Sequence, residues 1–206
     1  MEAIIRHRAN PGARRRDRDG APLDRALFAE LGPTGILAES LPLDLGGGGA
    51  GWRRWGQTLR WLAYVTDELS LPIMISVQQA IATQLVRSGR PDLVRRYVPA
   101  MMRGDCFGGF AWSEGADPFS FRTVVERRRD TFVLSGKKSP IMSGMLADFF
   151  VVYARDPVSD DVLALLVERG DLGVSTAACD SMGLRSGGLG RVSRIMNALF
   201  EPRSPL

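Results

Sequence analysis

The spacing of apolar residues changes near residue 104 from the period of an α-helix to that of a β-strand. Residues 23–31, 53–69, 72–88 and 91–104 carry apolar side chains every three or four positions, which predicts amphipathic helices. Beyond them, short apolar runs alternate with glycine, proline and aspartate, a pattern typical of strands and turns. The chain is therefore expected to be an α+β protein, with a helical part followed by a β part.

The predicted strands recur at short, regular spacing, which favours a small antiparallel β-sandwich or barrel. They cover residues 106–112, 121–127, 131–134, 147–155, 162–168, 173–175 and 191–200. We therefore expect three segments: a basic arm (1–22), an N-terminal α-helical domain (23–104) and a β-domain (105–206).

The composition argues against several other classes of protein. With 206 residues, 45% of them hydrophobic, the chain can bury a core. It has no run of about 18 apolar residues and no signal-peptide pattern, so a cytoplasmic protein without a membrane span is expected. Cys106 and Cys179 lack C-x-x-C spacing and His7 is the one histidine, so neither a metal site nor a Cys–His nucleophile is expected.

Two short motifs of unusual composition flank a predicted hairpin. The first, F-A-W-S-E, occupies residues 110–114, and the second, S-G-K-K-S-P-I-M-S-G, occupies residues 135–144. They are followed by A-D-F-F-V-V-Y-A-R at 147–155 and by M-G-L-R at 182–185. This layout resembles the N-terminal and middle domains of the acyl-CoA dehydrogenase family of flavoenzymes, and the resemblance runs over about residues 23–200.

The resemblance implies a fold, a reaction and a cofactor. Enzymes of this family oxidise the CH–CH bond of an acyl thioester: a carboxylate base takes the α proton, and the β hydrogen leaves as hydride to FAD. The first motif then holds the flavin through Phe110, Trp112 and Ser113, with the Ser113 hydroxyl and amide at the polar edge of the ring. Met142 and Ser143 of the second motif correspond to residues beside the ring.

Two stretches depart from the family pattern. Residues 115–120 read G-A-D-P-F-S where the family has P-G-A-G-S-D, and Ser120 remains as the candidate substrate-binding residue. In the second motif, Pro140 and Met142 replace the tryptophan and threonine of W-I-T-N-G, so a stacking face and a hydroxyl are lost. Each lost contact is worth about 0.5–1.5 kcal/mol, so we expect FAD at low occupancy or absent in the isolated chain.

The family's base is a glutamate in a C-terminal helical bundle, and this chain ends at Leu206, before such a bundle. We therefore expect a truncated flavoenzyme that acts on acyl-CoA or acyl carrier protein. A homo-oligomer or a second polypeptide would supply the bundle and cover apolar surface. The alternative is a flavin-free acyl-thioester-binding protein, or an enzyme of different chemistry that uses Ser113, Glu114, Asp117 or the lysine pair 137–138.

Arginines are concentrated at the start of a chain whose net charge is +4. They are Arg6, Arg8, Arg14, Arg15, Arg16 and Arg18. A solvated, partly disordered arm is the simplest interpretation. The alternatives are docking to an acidic partner such as an acyl carrier protein, or non-specific nucleic-acid binding. The carrier protein ranks higher because no nucleic-acid-binding motif accompanies the charge.

A run of glycines occupies residues 46–51. It lacks the P-loop pattern G-x-x-x-x-G-K-S/T, and no clear strand precedes it. A flexible turn between helices is therefore expected there rather than a phosphate cradle.

Overall fold

The computed structural model divides the chain into two compact units. It describes residues 1–115, 117, 120–128 and 131–193. The helical unit holds residues 1–107 and 180–188, and the β-unit holds residues 108–179 and continues from residue 189. Of the sequence-based predictions, Pro118, Phe119 and the end of the strand predicted over 191–200 lie outside the described residues.

The helical unit confirms the predicted helical N-terminal part. Its elements are α1 (Glu2–Ile4), a π-helical turn (Ile5–Ala9), α2 (Ala13–Asp19), α3 (Arg25–Leu31), α4 (Trp52–Val65), α5 (Ser70–Arg87) and α6 (Pro91–Arg103). Short 3₁₀ turns cover Gly32–Thr34, Ile36–Ala38, Leu43–Leu45 and Arg185–Gly187. The helix that contributes most to the core is α5, whose Leu71, Met74, Ile81 and Leu85 are fully buried. Burial of each such side chain contributes about 1.5–3 kcal/mol.

The prediction of a partly disordered arm over residues 1–22 is wrong, although most of its side chains are exposed. Ile5 and Ala9 are fully buried, and the guanidinium of Arg16 lies 2.7 Å from the buried carboxylate of Glu68. The Asn10 amide nitrogen also donates to the carbonyl of Val65 at 3.0 Å. Apolar residues at helical spacing and one buried ion pair therefore order a segment whose composition resembles that of a disordered tail.

The predicted β-domain (105–206) also differs from the observed division, because residues 180–188 belong to the helical unit. The carbonyl of Ser186 accepts a hydrogen bond from the amide of Leu23 at 2.8 Å. The M-G-L-R sequence at 182–185 therefore lies in the helical unit rather than in the β-unit.

The glycine run at residues 46–51 forms a turn, as predicted, and it is held by backbone hydrogen bonds. The amides of Gly47, Gly48, Gly49 and Ala50 donate to carbonyls of residues 38–42 at 2.8–2.9 Å. These amides are already bonded within the chain, so they are not available to bind a phosphate.

Gly104 ends α6 at a crowded place in the helical unit. Its φ is +78°, and a Cβ there would overlap the carbonyl oxygen of Phe28. Gly35 has a similar φ of +80° but no atom within 4 Å of its Cβ position. The left-handed conformation alone costs a side chain about 1–2 kcal/mol, so Gly35→Ala should lower the free energy of unfolding by that amount. We expect Gly104→Ala to lower it by more, as measured by urea denaturation, and equal losses would contradict this account.

The β-unit contains two sheets that share one core. Its strands are β1 (Gly108–Ala111), β2 (Val124–Arg128), β3 (Thr131–Ser135), β4 (Lys137–Ile141), β5 (Phe149–Arg155), β6 (Val162–Glu168), β7 (Ser175–Ala178) and β8 (Gly190–Ser193). One sheet holds β1, β5, β2 and β3, with β6 paired to β5, and the other has the order β4–β8–β7. The shared core includes Val152 and Val167 from the first sheet and Ile141 and Val192 from the second.

The β-sheet domain is confirmed, but its strands are not all antiparallel. Strand β1 pairs in parallel with β5, with Ala111 opposite Val152, and β2 meets the end of β5 in parallel. This parallel pairing aligns the end of β1 with the middle of β5. In the described part of the chain, no helix is long and apolar enough to cross a membrane.

Candidate functional site

The F-A-W-S-E motif runs through β1 into a turn that a buried lysine fixes in place. The Nζ of Lys138, on β4, donates to the carbonyl of Trp112 at 3.0 Å and to Oε1 of Glu114 at 2.6 Å. The carboxylate of Glu114 also accepts from the amides of Arg122 at 2.7 Å and Thr123 at 3.0 Å. The Lys138 and Glu114 side chains are 0% and 7% exposed. The turn is therefore tied to β4 through Lys138 and to residues 122–123 through the Glu114 carboxylate.

Burial and hydrogen bonding act on the charges of this pair in different ways. Burial opposes ionisation of Glu114, but the Lys138 ammonium and the amides of Thr123 and Arg122 together outweigh it, so the pKa of Glu114 lies below its ordinary value. Burial lowers the pKa of Lys138, and the charge of Glu114 opposes that shift. Glu114 is thus an ionised structural carboxylate and a weak base.

Aromatic side chains surround this turn. The ring of Trp112 packs edge-to-face on Phe121 at 5.0 Å and against Tyr153 on β5 at 4.7 Å, between ring centroids. Phe110 lies 5.3 Å from Tyr153 and 6.3 Å from Trp112. The Lys138 ammonium lies 4.2 Å above the Phe121 ring, a favourable cation–π contact. Phe110 and Trp112 therefore pack against each other and against neighbouring aromatic side chains.

Ser113 lies between these groups and keeps two polar groups available. Its carbonyl accepts from the amide of Ser139 at 2.8 Å, which ties the turn to β4. Among the residues that the structure describes, its hydroxyl and its amide have no hydrogen-bond partner, and the side chain is half-buried. These are the two groups that the family resemblance assigns to the polar edge of a flavin.

The second motif ends in a tight turn after β4. Ser143 has a left-handed φ of +60°, and its carbonyl accepts from the amides of Leu146 and Ala147 at 2.9 and 2.8 Å. The Ser143 hydroxyl is buried and has no partner among the described residues. Met142 is half-buried, whereas Pro140 is exposed. The turn is ordered, and Pro140, on β4 before it, stands where the resemblance implies a tryptophan.

Asp117 and Ser120 lie on the loop that follows the first motif. Both are exposed, and the amide of Ser120 donates to the carbonyl of Asp117 at 3.3 Å. Glu114, in contrast, is fixed at the start of this loop. The structure thus brings Glu114 and Lys138 together as one buried pair, whereas Asp117 and Ser120 face solvent.

An arginine with no recognisable sequence signal holds the second motif. The guanidinium of Arg169, just after β6, donates to the carbonyls of Ala147 at 2.5 Å and Gly144 at 2.6 Å, and to the hydroxyl of Thr176 at 2.7 Å. It thereby joins the turn to the end of β6 and to β7. The sequence carries no sign of this role, because two of the three partners, Ala147 and Gly144, lie 22 and 25 positions away along the chain.

The residues of this site fit the implied FAD only in part. The hydroxyl and amide of Ser113, which have no partner among the described residues, suit the polar edge of an isoalloxazine ring. The buried Ser143 hydroxyl, in the turn after β4, is a further polar group without a partner among those residues. The resemblance implies a stacking tryptophan and a hydroxyl at the positions where this chain has Pro140 and Met142, and neither of these side chains offers such a contact. We therefore derive no reaction step through a flavin from this chain's residues.

Comparisons with known proteins agree with this architecture. The family profile "Acyl-CoA dehydrogenase, N-terminal domain" matches residues 1–105, and "Acyl-CoA dehydrogenase, middle domain" matches residues 109–194. A mitochondrial isovaleryl-CoA dehydrogenase of Pongo abelii is 29% identical over 170 residues, which cover 78% of this chain and 40% of that protein. The chain thus spans about 40% of the length of the curated relatives it matches.

Solved structures share the fold. Glutaryl-CoA dehydrogenase from Mycobacterium smegmatis matches with a TM-score of 0.85 and 25% identity, over 96% of this chain and 51% of that chain. A prolyl acyl carrier protein oxidase matches with a TM-score of 0.87 over 100% of this chain and 56% of that chain, and at 19% identity it supports the fold alone. Since the two family profiles match residues 1–105 and 109–194 in order, this chain belongs to the acyl-CoA dehydrogenase family of oxidoreductases and contains its N-terminal and middle domains.

Proposed function

We propose that this chain forms the flavin-facing part of an oxidoreductase that acts on an acyl thioester, carried by CoA or by an acyl carrier protein. The observation that carries the proposal is the Trp112–Glu114 turn. Lys138 fixes this turn, and the Ser113 hydroxyl and amide are left without partners among the described residues. Two polar groups held on a rigid turn are suited to bind a ligand edge with little loss of entropy.

The same geometry argues that the catalytic base comes from elsewhere. Glu114 accepts three hydrogen bonds and has a lowered pKa, so it is poorly suited to remove a proton near neutral pH. Asp117 is exposed, and a carboxylate surrounded by water is poorly positioned to act as a base on a bound substrate. We propose that a further polypeptide segment or a second protein supplies the base and completes the flavin site.

The alternative is a flavin-free acyl-thioester protein, and a specific observation favours it. The position of the family's stacking tryptophan holds Pro140, whose ring is exposed, and Met142 offers no hydroxyl. A protein that binds no flavin has no need of a stacking ring or a flavin-bonding hydroxyl at these positions. Flavin binding therefore separates the two proposals.

Titration of the isolated chain with FAD, followed by flavin fluorescence, tests the assignment of Ser113 and Met142. Weak binding is expected, because a stacking group and a hydroxyl are missing. Ser113→Ala should weaken it by about 2- to 10-fold, the value of one hydrogen bond, and Met142→Thr should tighten it by a similar factor. Ser159→Ala, on the exposed turn between β5 and β6, is the matched control. An unchanged affinity in both site variants would contradict the assignment.

We also propose that this chain self-associates or binds a second protein. Trp52 and Tyr64 on α4 are 73% and 86% exposed, and Leu43 is 74% exposed. Large apolar side chains at this exposure favour burial in an interface. Size-exclusion chromatography with light scattering is expected to give a mass above that of one chain, or a co-purifying partner. Trp52→Glu should reduce association and Val158→Glu should not, whereas a clean wild-type monomer would contradict the proposal.

A further inference from the structure

The N-terminal segment of the helical unit carries more positive charge than its ion pairs use. Residues 1–22 hold six arginines and three side-chain carboxylates. Three of these arginines form ion pairs with carboxylates of the chain at 2.7–2.8 Å: Arg6 with Glu2, Arg8 with Glu30 and Arg16 with Glu68. The other three, Arg14, Arg15 and Arg18, all lie on α2.

These three arginines form one face of α2. A helix turns by about 100° per residue, so positions 14, 15 and 18 fall within an arc of about 100°. All three are exposed, and no hydrogen bond or ion pair holds their side chains within the described ranges. The inner side of the helix is anchored by the buried Ala13 and by Arg16, which is paired with Glu68. The backbone that carries the three charges is therefore fixed.

A fourth arginine extends this face beyond the end of α2. A guanidinium nitrogen of Arg185 lies 3.4 Å from the position that a Cβ on Gly20 would take, and Gly20 is the C-cap of α2. Arg185 is half-buried and has no ion-pair partner in the described part of the chain. Met182, three positions earlier, is fully exposed. The basic face of the helical unit thus consists of Arg14, Arg15, Arg18 and Arg185.

We propose that the basic face binds an acidic α-helix of a second protein. Arg14 and Arg18 are about one helical turn apart, about 6 Å along the axis, and two carboxylates one turn apart on a partner helix have the same spacing. A guanidinium binds a carboxylate through two parallel N–H···O bonds, which favours this pairing over a looser charge contact. The basic face lies in the helical unit, so this proposal does not depend on the function proposed above.

Two features of this surface favour a protein over a nucleic acid. Methionine and arginine are enriched in protein–protein interfaces, and Met182 offers an exposed apolar side chain in the same segment as Arg185. Asp17 and Asp19 are exposed and flank the arginines on either side of the α2 face. Their charges oppose a continuous polyanion but leave room for a helix with one row of carboxylates.

Fluorescence anisotropy at low ionic strength tests the proposal on the 206-residue chain. The probe is a labelled, alanine-rich synthetic helix with glutamates one turn apart along one face, and the control peptide has the same composition with its glutamates spread around the helix. Arg14→Gln and Arg18→Gln should each weaken probe binding about threefold, and the double variant about tenfold, as expected for exposed ion pairs. Arg95→Gln removes the same charge from an exposed position on α6 and should change binding less than about 1.5-fold.

Three results would overturn the proposal. No detectable binding of the probe, equal affinity for the two peptides, or an equal loss in Arg95→Gln and Arg14→Gln would show that the basic face does not select an acidic helix. Double-stranded DNA of matched charge is a third probe at the same salt concentration. Tighter binding of DNA than of the probe helix, lost in the double variant, would assign the face to nucleic acid instead. Circular dichroism checks that each variant is folded.

Discussion

Replacing Lys138 with methionine is expected to lower the free energy of unfolding by about 3–5 kcal/mol. The substitution removes the ammonium but leaves the Glu114 carboxylate buried, with two backbone amides as its remaining partners. It also removes the hydrogen bond to the Trp112 carbonyl and the cation–π contact with Phe121. Lys137→Met is the matched control, because Lys137 is exposed and should cost less than about 0.5 kcal/mol.

A double-mutant cycle separates the ion pair from the packing of its side chains. Glu114→Gln alone should also destabilise the fold, because it leaves a buried ammonium without its counter-charge. The double variant Lys138→Met with Glu114→Gln should be more stable than the sum of the single losses predicts, by at least about 1 kcal/mol. Urea denaturation measures all of these values. Additive losses would show that the two groups act independently.

The pH dependence of stability follows from the same pair. The pKa of Glu114 in the folded chain lies below its ordinary value of 4.5, so folding favours the ionised form. Its contribution to stability is present above pH 4.5 and is lost as the pH falls through the lowered pKa. As the pH falls below 4.5, the free energy of unfolding of the wild type should therefore decrease more than that of Glu114→Gln. Parallel plots of the free energy of unfolding against pH for the two proteins would contradict this.

The isolated chain, supplied with FAD and an artificial electron acceptor, is expected to show no significant dehydrogenation of an acyl-CoA series. A positioned general base typically accelerates proton removal by about a hundred- to ten-thousand-fold, and Glu114 is committed to structural contacts. Any loss of flavin affinity lowers the rate further. The expected rate is thus at least about a hundredfold below that of a complete acyl-CoA dehydrogenase measured in the same assay.

Two variants show whether a resident carboxylate acts as the base after all. Asp117→Asn removes the charge of an exposed side chain and keeps its size and shape. Glu114→Gln keeps an oxygen that can accept hydrogen bonds from the amides of Arg122 and Thr123. Robust activity of the wild-type chain that disappears in a variant shown by circular dichroism to be folded would place the base within these 206 residues.

Periodicity predicted the main helices because their apolar faces are dense. The helix predicted over residues 72–88 corresponds to α5, and Ile81 and Leu85 of its predicted apolar face are buried, whereas the buried Leu71 lies before the predicted start. The ordered N-terminal segment was missed because its buried face consists of Ile5 and small alanines among many arginines. The parallel pairing of β1 with β5 could not be predicted either. Nearly forty residues lie between the two strands, and the local pattern of apolar residues does not show which strands pair or in which register.

The site was predictable as a set of motifs but not as a set of contacts. The F-A-W-S-E motif correctly indicated a strand end at residues 110–114, with Ser113 in the turn. That Glu114 is paired with Lys138, 24 positions away, depends on β4 lying beside this turn. The adjacent Lys137 is exposed and Lys138 is buried because successive residues of a strand face opposite sides.

The central proposal is that this chain keeps a fixed turn suited to the edge of a flavin but lacks two of the groups that the family resemblance implies around the flavin ring. The visible absorption spectrum of the purified 206-residue chain tests it most directly. We predict little or no flavin absorption, with occupancy rising only when a completing partner or a large excess of FAD is added. A yellow preparation with near-stoichiometric flavin in the isolated chain would contradict the claim.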